Sequence, residues 1–367
     1  MIRRRSRAGV AAALTSLAAL VLLPAMATAD ASRMVRLYNW VDYINPKVIA
    51  DFEKETGIDV VIETYTSSEQ AEARLLLGGQ GFDLVVVYSQ QIDRLAKAGV
   101  IEPFDLDLVP NSAGVDTSIM ALMPGAASDA TLTMPYFWGT TGIGYNVKEL
   151  ERRFPEGVPH SWGLIFEPEL ARRLESCGVH VIDAPETAIG AALAWLGLDP
   201  GSKNPEDIEA AMAAIERASV HWRAIDSELI NAMATGASCV TLAWSTEVLL
   251  AMASAAQGLE VGYMLPREGS EIWVDSFAIP RGAPHRKEAH LLVNYLLRPD
   301  VAARLTNWSQ AANAVPGSKP MVSAEIVSNP GVYPPEEMRE RFYPLAAVGT
   351  GMQSEINNRW MWLKLPK

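Results

Sequence analysis

Cysteine is nearly missing from this 367-residue chain, which has only Cys177 and Cys239. There is no CxxC pair and no HExxH helix, and the five histidines (His160, His180, His221, His285, His290) are scattered. His285 and His290 stand five apart, a poor spacing for one helix face, so no zinc site is expected and all five are read as core or surface residues. A nucleophile elbow and a phosphate-cradling glycine loop are also lacking, so the common hydrolase and nucleotide-binding chemistries find no support. No two tyrosines are adjacent, which argues against a ferric-ion site. Positive charge is scarce: 31 Lys and Arg face 43 Asp and Glu, a net charge of −12. A surface of that sign repels nucleic acid and anionic lipid and is compatible with cationic ligands, although most acidic surfaces serve solubility alone. Past the N-terminus no apolar run is long enough to span a bilayer.

The first 29 residues are what the rest lacks. Arg3, Arg4, Arg5 and Arg7 precede the apolar stretch AGVAAALTSLAALVLLPAM, and Ala27-Thr28-Ala29 follows as a small-x-small cleavage pattern. This reads as a secretory signal peptide over residues 1–29, with Pro24 and the cleavage pattern speaking against a permanent anchor. No cysteine stands at the cut, so no lipid anchor is expected. Removing 29 of 367 residues leaves 338, and losing four arginines with no acid takes the charge from −12 to −16. A chain of that length is expected to form two lobes. In an oxidising compartment Cys177 and Cys239 read naturally as a disulfide, with two buried thiols as the alternative.

Strand and helix signals then alternate. MVRLYNW reads as a strand, and a helix from Pro46 ends at Gly57. IDVVIETY is a second strand, and Ser67 or Ser68 caps a helix that stops near Gly78-Gly79. FDLVVVY is the near-continuous apolar run of a strand covered on both faces, and DRLAKAG is a short helix with Gly99 past its end. This order predicts an α/β fold with parallel strands and helices on both sides. TTGIGYNV starts a new segment, followed by VHVIDA, ASCVTLAW and VDSFAIPRGA. KEAHLLVNYLLRPDVAARLT is a helical pair broken at Pro299.

Three short segments pair indoles with acids at or near strand ends, where open α/β sheets bind ligands. YNWVDY carries Trp40, Asp42 and Tyr43; LAWSTE carries Trp244 and Glu247; EIWVDSF carries Trp273 and Asp275. In each Trp-Val-Asp the indole and carboxylate share a face if the chain stays extended. Carboxylates with ring faces suit an organic ammonium. One such ion pair at about 4 Å and an effective dielectric near 20 is worth on the order of 4 kcal/mol before desolvation. Desolvating the cation costs several kcal/mol, so two or three converging carboxylates are needed. Taken singly, each tryptophan reads better as core and each acid as a turn or cap residue.

Across nearly the whole mature length the sequence resembles the periplasmic putrescine/spermidine-binding proteins of ATP-driven importers, most of all their putrescine-binding branch. The resemblance is carried by YNWVDYI, FEKETGIDVV, GFDLVV, MPYFWGTTGIGYNV, SCGVHVIDAPE, NYLLRPDV and VSAEIVSNPGVYPP. It implies a type II periplasmic binding fold, two α/β lobes, each a mixed sheet flanked by helices, hinged over the ligand, and a disulfide joining Cys177 to Cys239. The implied lobes are residues 30–138 with about 276–322, and 139–275 with about 323–367. The implied ligand-binding positions are Trp40, Asp42, Tyr43, Trp244 and Asp275, with Glu247 where an aspartate is usual and Trp273 where a phenylalanine is. Val41 and Tyr88 stand in place of serines, Thr187 in place of a glutamate, and Ala311 in place of a tyrosine. Glu186 aligns beside the binding position. These departures leave the pairing of Asp42 with Asp275 intact and alter the far end of the site.

The function so implied is a monomeric periplasmic receptor, without cofactor or metal, that closes on a polyamine and delivers it to the membrane permease of an ABC transporter. The alternatives are a receptor for another organic amine serving a transporter or sensor, and a secreted carbohydrate-active enzyme using Asp42 and Asp275.

Overall fold

Alternation along the first strands builds the first half of the molecule. A computed structural model describes residues 33–78, 81–345 and 347–365. The leader therefore lies outside the described residues. The strands are β1 (Met34–Trp40), β2 (Asp59–Tyr65), β3 (Leu84–Tyr88), β4 (Ile101–Glu102), β5 (Met134–Asn146) and β6 (Val179–Ile182). They continue as β7 (Ala224–Asp226), β8 (Val240–Trp244), β9 (Val261–Met264), β10 (Ser270–Pro280), β11 (Ala312–Asn313) and β12 (Phe342–Tyr343). On β1 and β3, Val35, Leu37, Leu84 and Val86 face one apolar cluster, while Tyr38, Val85 and Val87 face another. Strands of period two that are apolar on both faces need a helical layer on each side. The first layer comes from α1 (Pro46–Thr56) and the helices Arg286–Leu296 and Pro299–Ser309. The second comes from α2 (Ser68–Leu76) and α3 (Ser89–Lys97).

Local signals act where the sequence placed them. Asn45 caps α1 by accepting from the Lys47 N–H, Pro46 sits in its first turn, and Gly57 closes it in the left-handed conformation at φ 66°. Ser67 caps α2 through the Gln70 N–H. Pro299 begins the helix Pro299–Ser309, where its missing N–H costs nothing.

One sheet runs through the chain in the order β2-β1-β3-β10-β5-β8-β6-β7. β2, β1 and β3 are parallel, as are β6, β7 and β8, whereas β10 is antiparallel to both β3 and β5. The sheet is therefore mixed. A separate apolar cluster fills the second half, built on β6, β8, Ile143 of β5 and the helices Pro185–Leu196 and Pro205–Ser219. β5 belongs to both halves, since Tyr136 and Phe137 enter the first-half core and Ile143 the second. The expected fresh segment at TTGIGYNV is thus the second part of a 13-residue strand that starts at Met134. Its Gly139 is required by packing, because a Cβ there would overlap the Trp273 ring. Cys177 and Cys239 are bonded, with Cα atoms 5.5 Å apart, and tie the start of β6 to the start of β8. Among the described residues no helix is long and apolar enough to cross a membrane.

Candidate functional site

β1 ends at Trp40, and the chain turns at once. Asp42 takes φ 51°, so the first Trp-Val-Asp is not extended, and Val41 and Asp42 are exposed. The turn brings Tyr43 back over the sheet, where its hydroxyl donates to Asp275 Oδ2 at 2.7 Å. Tyr43 is held there by edge contacts to Tyr136 and Phe137, and its carbonyl accepts from the Tyr136 hydroxyl at 3.0 Å. Two segments far apart in sequence therefore meet.

β10 is buried along its whole length, and its Trp-Val-Asp stays extended, so Trp273 and Asp275 do share a pleat face. Burial pushes the Asp275 carboxyl up to about 6, against the Tyr43 hydroxyl, which favours the anion. The Trp40 indole N–H adds weakly in the same direction from outside hydrogen-bond geometry, and Nε1 itself is unpartnered. No described lysine or arginine pairs with Asp275.

Trp40, Tyr43, Tyr88 and Trp244 all pack against the core cluster that contains Trp273 and Ala311. Trp244, at the end of β8, also packs against the second-half core and so stands between the two. Glu247 lies in the first turn of the helix Ser245–Ala253 and accepts from the Trp244 backbone N–H at 3.4 Å. Burial pushes its carboxyl up to about 7 against that N–H. Ala311 and Thr187 are buried. Glu186 is half-buried in the first turn of the helix Pro185–Leu196, and burial raises its pKa above the usual carboxylate range.

One residue escaped the sequence reading. Glu271 is 1 % exposed, accepts from the Tyr88 hydroxyl at Oε1 (2.5 Å) and from the Thr141 hydroxyl at Oε2 (2.6 Å), and lies beside the Thr187 hydroxyl. Burial raises its pKa, and no described cation pairs with it. The available signal was Glu271-x-Trp273-x-Asp275, two acids flanking an indole on alternate positions of one strand. Among the described residues no group of three or more His, Cys, Asp or Glu is placed to hold a metal. The arrangement offers buried anionic acceptors lined by aromatic faces. Two surface grooves, one beside Pro205, Met212 and Arg359 and one beside Ser227, Asn231 and Ser254, contain none of these residues.

The sequence pattern of the bacterial extracellular solute-binding proteins matches residues 47–334. The chain belongs to that family. This solute-binding protein is 37% identical over 342 residues to the putrescine-binding periplasmic protein of Escherichia coli (strain K12), covering 91% of this chain and 92% of that one. It is 33% identical over 339 residues to the putrescine/agmatine-binding protein of Pseudomonas aeruginosa, with 91% and 92% covered. Among solved structures it is similar to a spermidine/putrescine ABC transporter protein from Listeria monocytogenes, at TM-score 0.77 and 29% identity, covering 91% of this chain and 99% of that one. The fold is that of the type II periplasmic binding proteins.

Proposed function

We propose that this solute-binding protein is an exported polyamine receptor. It captures a putrescine-like diamine or spermidine between two lobes and delivers it to the permease of an ABC importer, acting as a monomer and without catalysis. The observation that carries this is Asp275, a buried carboxylate with no cationic partner, oriented by Tyr43, with the Trp40 indole beside it and Trp273 on the same strand face. A buried anion left without a partner is costly in the empty protein, and a ligand ammonium supplies what is missing. Trp40, Asp42, Tyr43, Tyr88, Trp244, Glu247, Trp273 and Asp275 line the site, with Val41, Glu186, Thr187 and Ala311 at its margin. The names of the similar proteins, which bind putrescine, agmatine or spermidine, support the class of ligand.

The lobes of this reading are residues 30–138 with about 276–322, and 139–275 with about 323–367. Two of the three junctions fall inside the long strands β5 and β10, and the one in β10 coincides with the register shift at Asp275/Ser276. Rotation there would open and close the cleft, with closure driven by ligand contacts available only when both lobes engage. Residues 1–29 act as the signal peptide of this periplasmic protein. The test is a thermal-shift screen and calorimetry of the mature protein against putrescine, cadaverine, agmatine, spermidine and spermine. At least one should raise the melting temperature and bind with a 1:1 stoichiometry. No response to any of the five would end the proposal.

A further inference from the structure

β10 carries two buried carboxylates, and only one of them was visible as part of an aromatic-acid motif. Glu271 and Asp275 are four residues apart on one strand and so share a pleat face, with Trp273 between them on that face. Register confirms it. Tyr88 stands directly across from Asp275 on β3, and residues directly opposite project to the same side. The Tyr88 hydroxyl nevertheless reaches back to Glu271. The two carboxylates therefore flank one aromatic slot, and each is held by a first-half tyrosine, Tyr43 from the turn after β1 and Tyr88 from the end of β3. A second observation points to a guest in the slot. Trp273, only 7 % exposed, has no partner for Nε1, and neither has the half-buried Trp40 beside Asp275.

We propose that Glu271 is the second anionic anchor of the ligand site, and that with Asp275 it selects a short linear diamine carrying an ammonium at each end. The claim rests on the polyamine reading above and adds the residue that would set ligand length. At about 3.3 Å per residue the two Cα atoms are about 13 Å apart. Fully extended butane-1,4-diamine has about 6 Å between nitrogens, and a charge-assisted hydrogen bond of about 2.8 Å at each end makes a total near 12 Å. The apolar methylenes then lie against the indole of Trp273. The neutral Thr187 and Thr141 hydroxyls beside Glu271 orient its carboxylate without neutralising it.

The test is calorimetry of butane-1,4-diamine and butylamine on the wild type, Glu271→Gln and Asp275→Asn. Glu271→Gln should weaken the diamine at least tenfold and the monoamine less than twofold, so the preference for the diamine collapses. Asp275→Asn should weaken both. Glu271→Asp, which shortens the anchor by one methylene, should raise the affinity ratio of pentane-1,5-diamine to butane-1,4-diamine at least threefold, and it decides the matter if Glu271→Gln fails to fold. An unchanged diamine preference in Glu271→Gln, or an unchanged length ratio in Glu271→Asp, would make Glu271 a structural hydrogen-bond hub and overturn the inference. A wild type that binds neither amine would instead overturn the polyamine reading itself.

Discussion

The tripeptide Trp-Val-Asp occurs twice, and the two copies have opposite fates. Trp40-Val41-Asp42 ends a strand: the backbone turns left-handed at Asp42, and Val41 is 50% exposed. Trp273-Val274-Asp275 lies in the middle of a strand in which every residue is buried. The difference comes from neighbours in space. β10 lies between β3 and β5, so all three residues pair with β5 and Asp275 pairs with β3 as well. β1 pairs in register with β2 as far as Trp40 and Tyr65, and the Val41 N–H to the Tyr65 carbonyl, at 3.1 Å, follows that last register pair. Identical letters thus yield one solvent-facing acid and one desolvated acid. Only the second carries the electrostatic demand that a cation satisfies.

The sharpest way to break this comparison is to neutralise each aspartate in turn. Asp275→Asn should weaken putrescine binding on the order of a hundredfold, about 3 kcal/mol, as expected when one partner of a buried charge pair is lost. Asp42→Asn should cost about 1 kcal/mol or less, the scale of an exposed pair. Calorimetry on both variants decides it, and the reverse order would put the binding charge in the turn rather than the strand. The middle residues give the same contrast in stability. Val274→Ala should cost about 2–3 kcal/mol through lost burial and a residual cavity, whereas Val41→Ala should stay within about 0.5 kcal/mol. Denaturant midpoints measure both. For the indoles, Gly139→Ala places a methyl where the Trp273 ring lies. Overpacking should cost about 2 kcal/mol and shift Trp273 fluorescence. An unaltered emission spectrum would mean the ring is not held against β5.

The contrast also marks how far the sequence could be read. α1, α2 and the Pro299 break were legible because caps, glycine stops and proline act locally. The two-sided burial of β3 was legible from its unbroken apolar run, and the family resemblance named the disulfide partners. Three features were not legible, each because a distant segment decides it. β5 is one strand although TTGIGYNV reads as the start of a new segment, and its Gly139, Gly142 and Gly144 leave space that Trp273, Tyr263 and Met233 occupy. The antiparallel β10 inserted between β3 and β5 follows from chain return, which a local β-α-β pattern does not encode. Glu271, at the start of EIWVDSF, carries no local mark of its role, and only the Tyr88 and Thr141 hydroxyls reveal a buried carboxylate.

The buried copy also predicts a pH dependence, the smallest of the expected effects. Burial holds the Asp275 carboxyl at about 6 and the Glu247 carboxyl at about 7, both above the usual range near 4. The empty folded protein therefore binds more protons than the unfolded chain over this interval. The stability these groups contribute is fully present below pH 4 and is lost as pH rises through 6 to 7. A bound diamine acts oppositely, because it favours the anions of Asp275 and Glu247, and of Glu271, whose pKa burial also raises, and must displace their protons when the pH is low. Affinity for putrescine should thus fall roughly tenfold from pH 8 to pH 6, about 1.4 kcal/mol, with proton release seen as buffer-dependent binding enthalpies. The ligand-induced rise in melting temperature should widen over the same range as pH increases. Asp275→Asn should flatten part of the slope and leave the share of Glu247 and Glu271. A pH-independent affinity would mean that the carboxylates of the empty cleft are already ionised at pH 6. The desolvation that separates the two Trp-Val-Asp copies would then be doing nothing to the ligand.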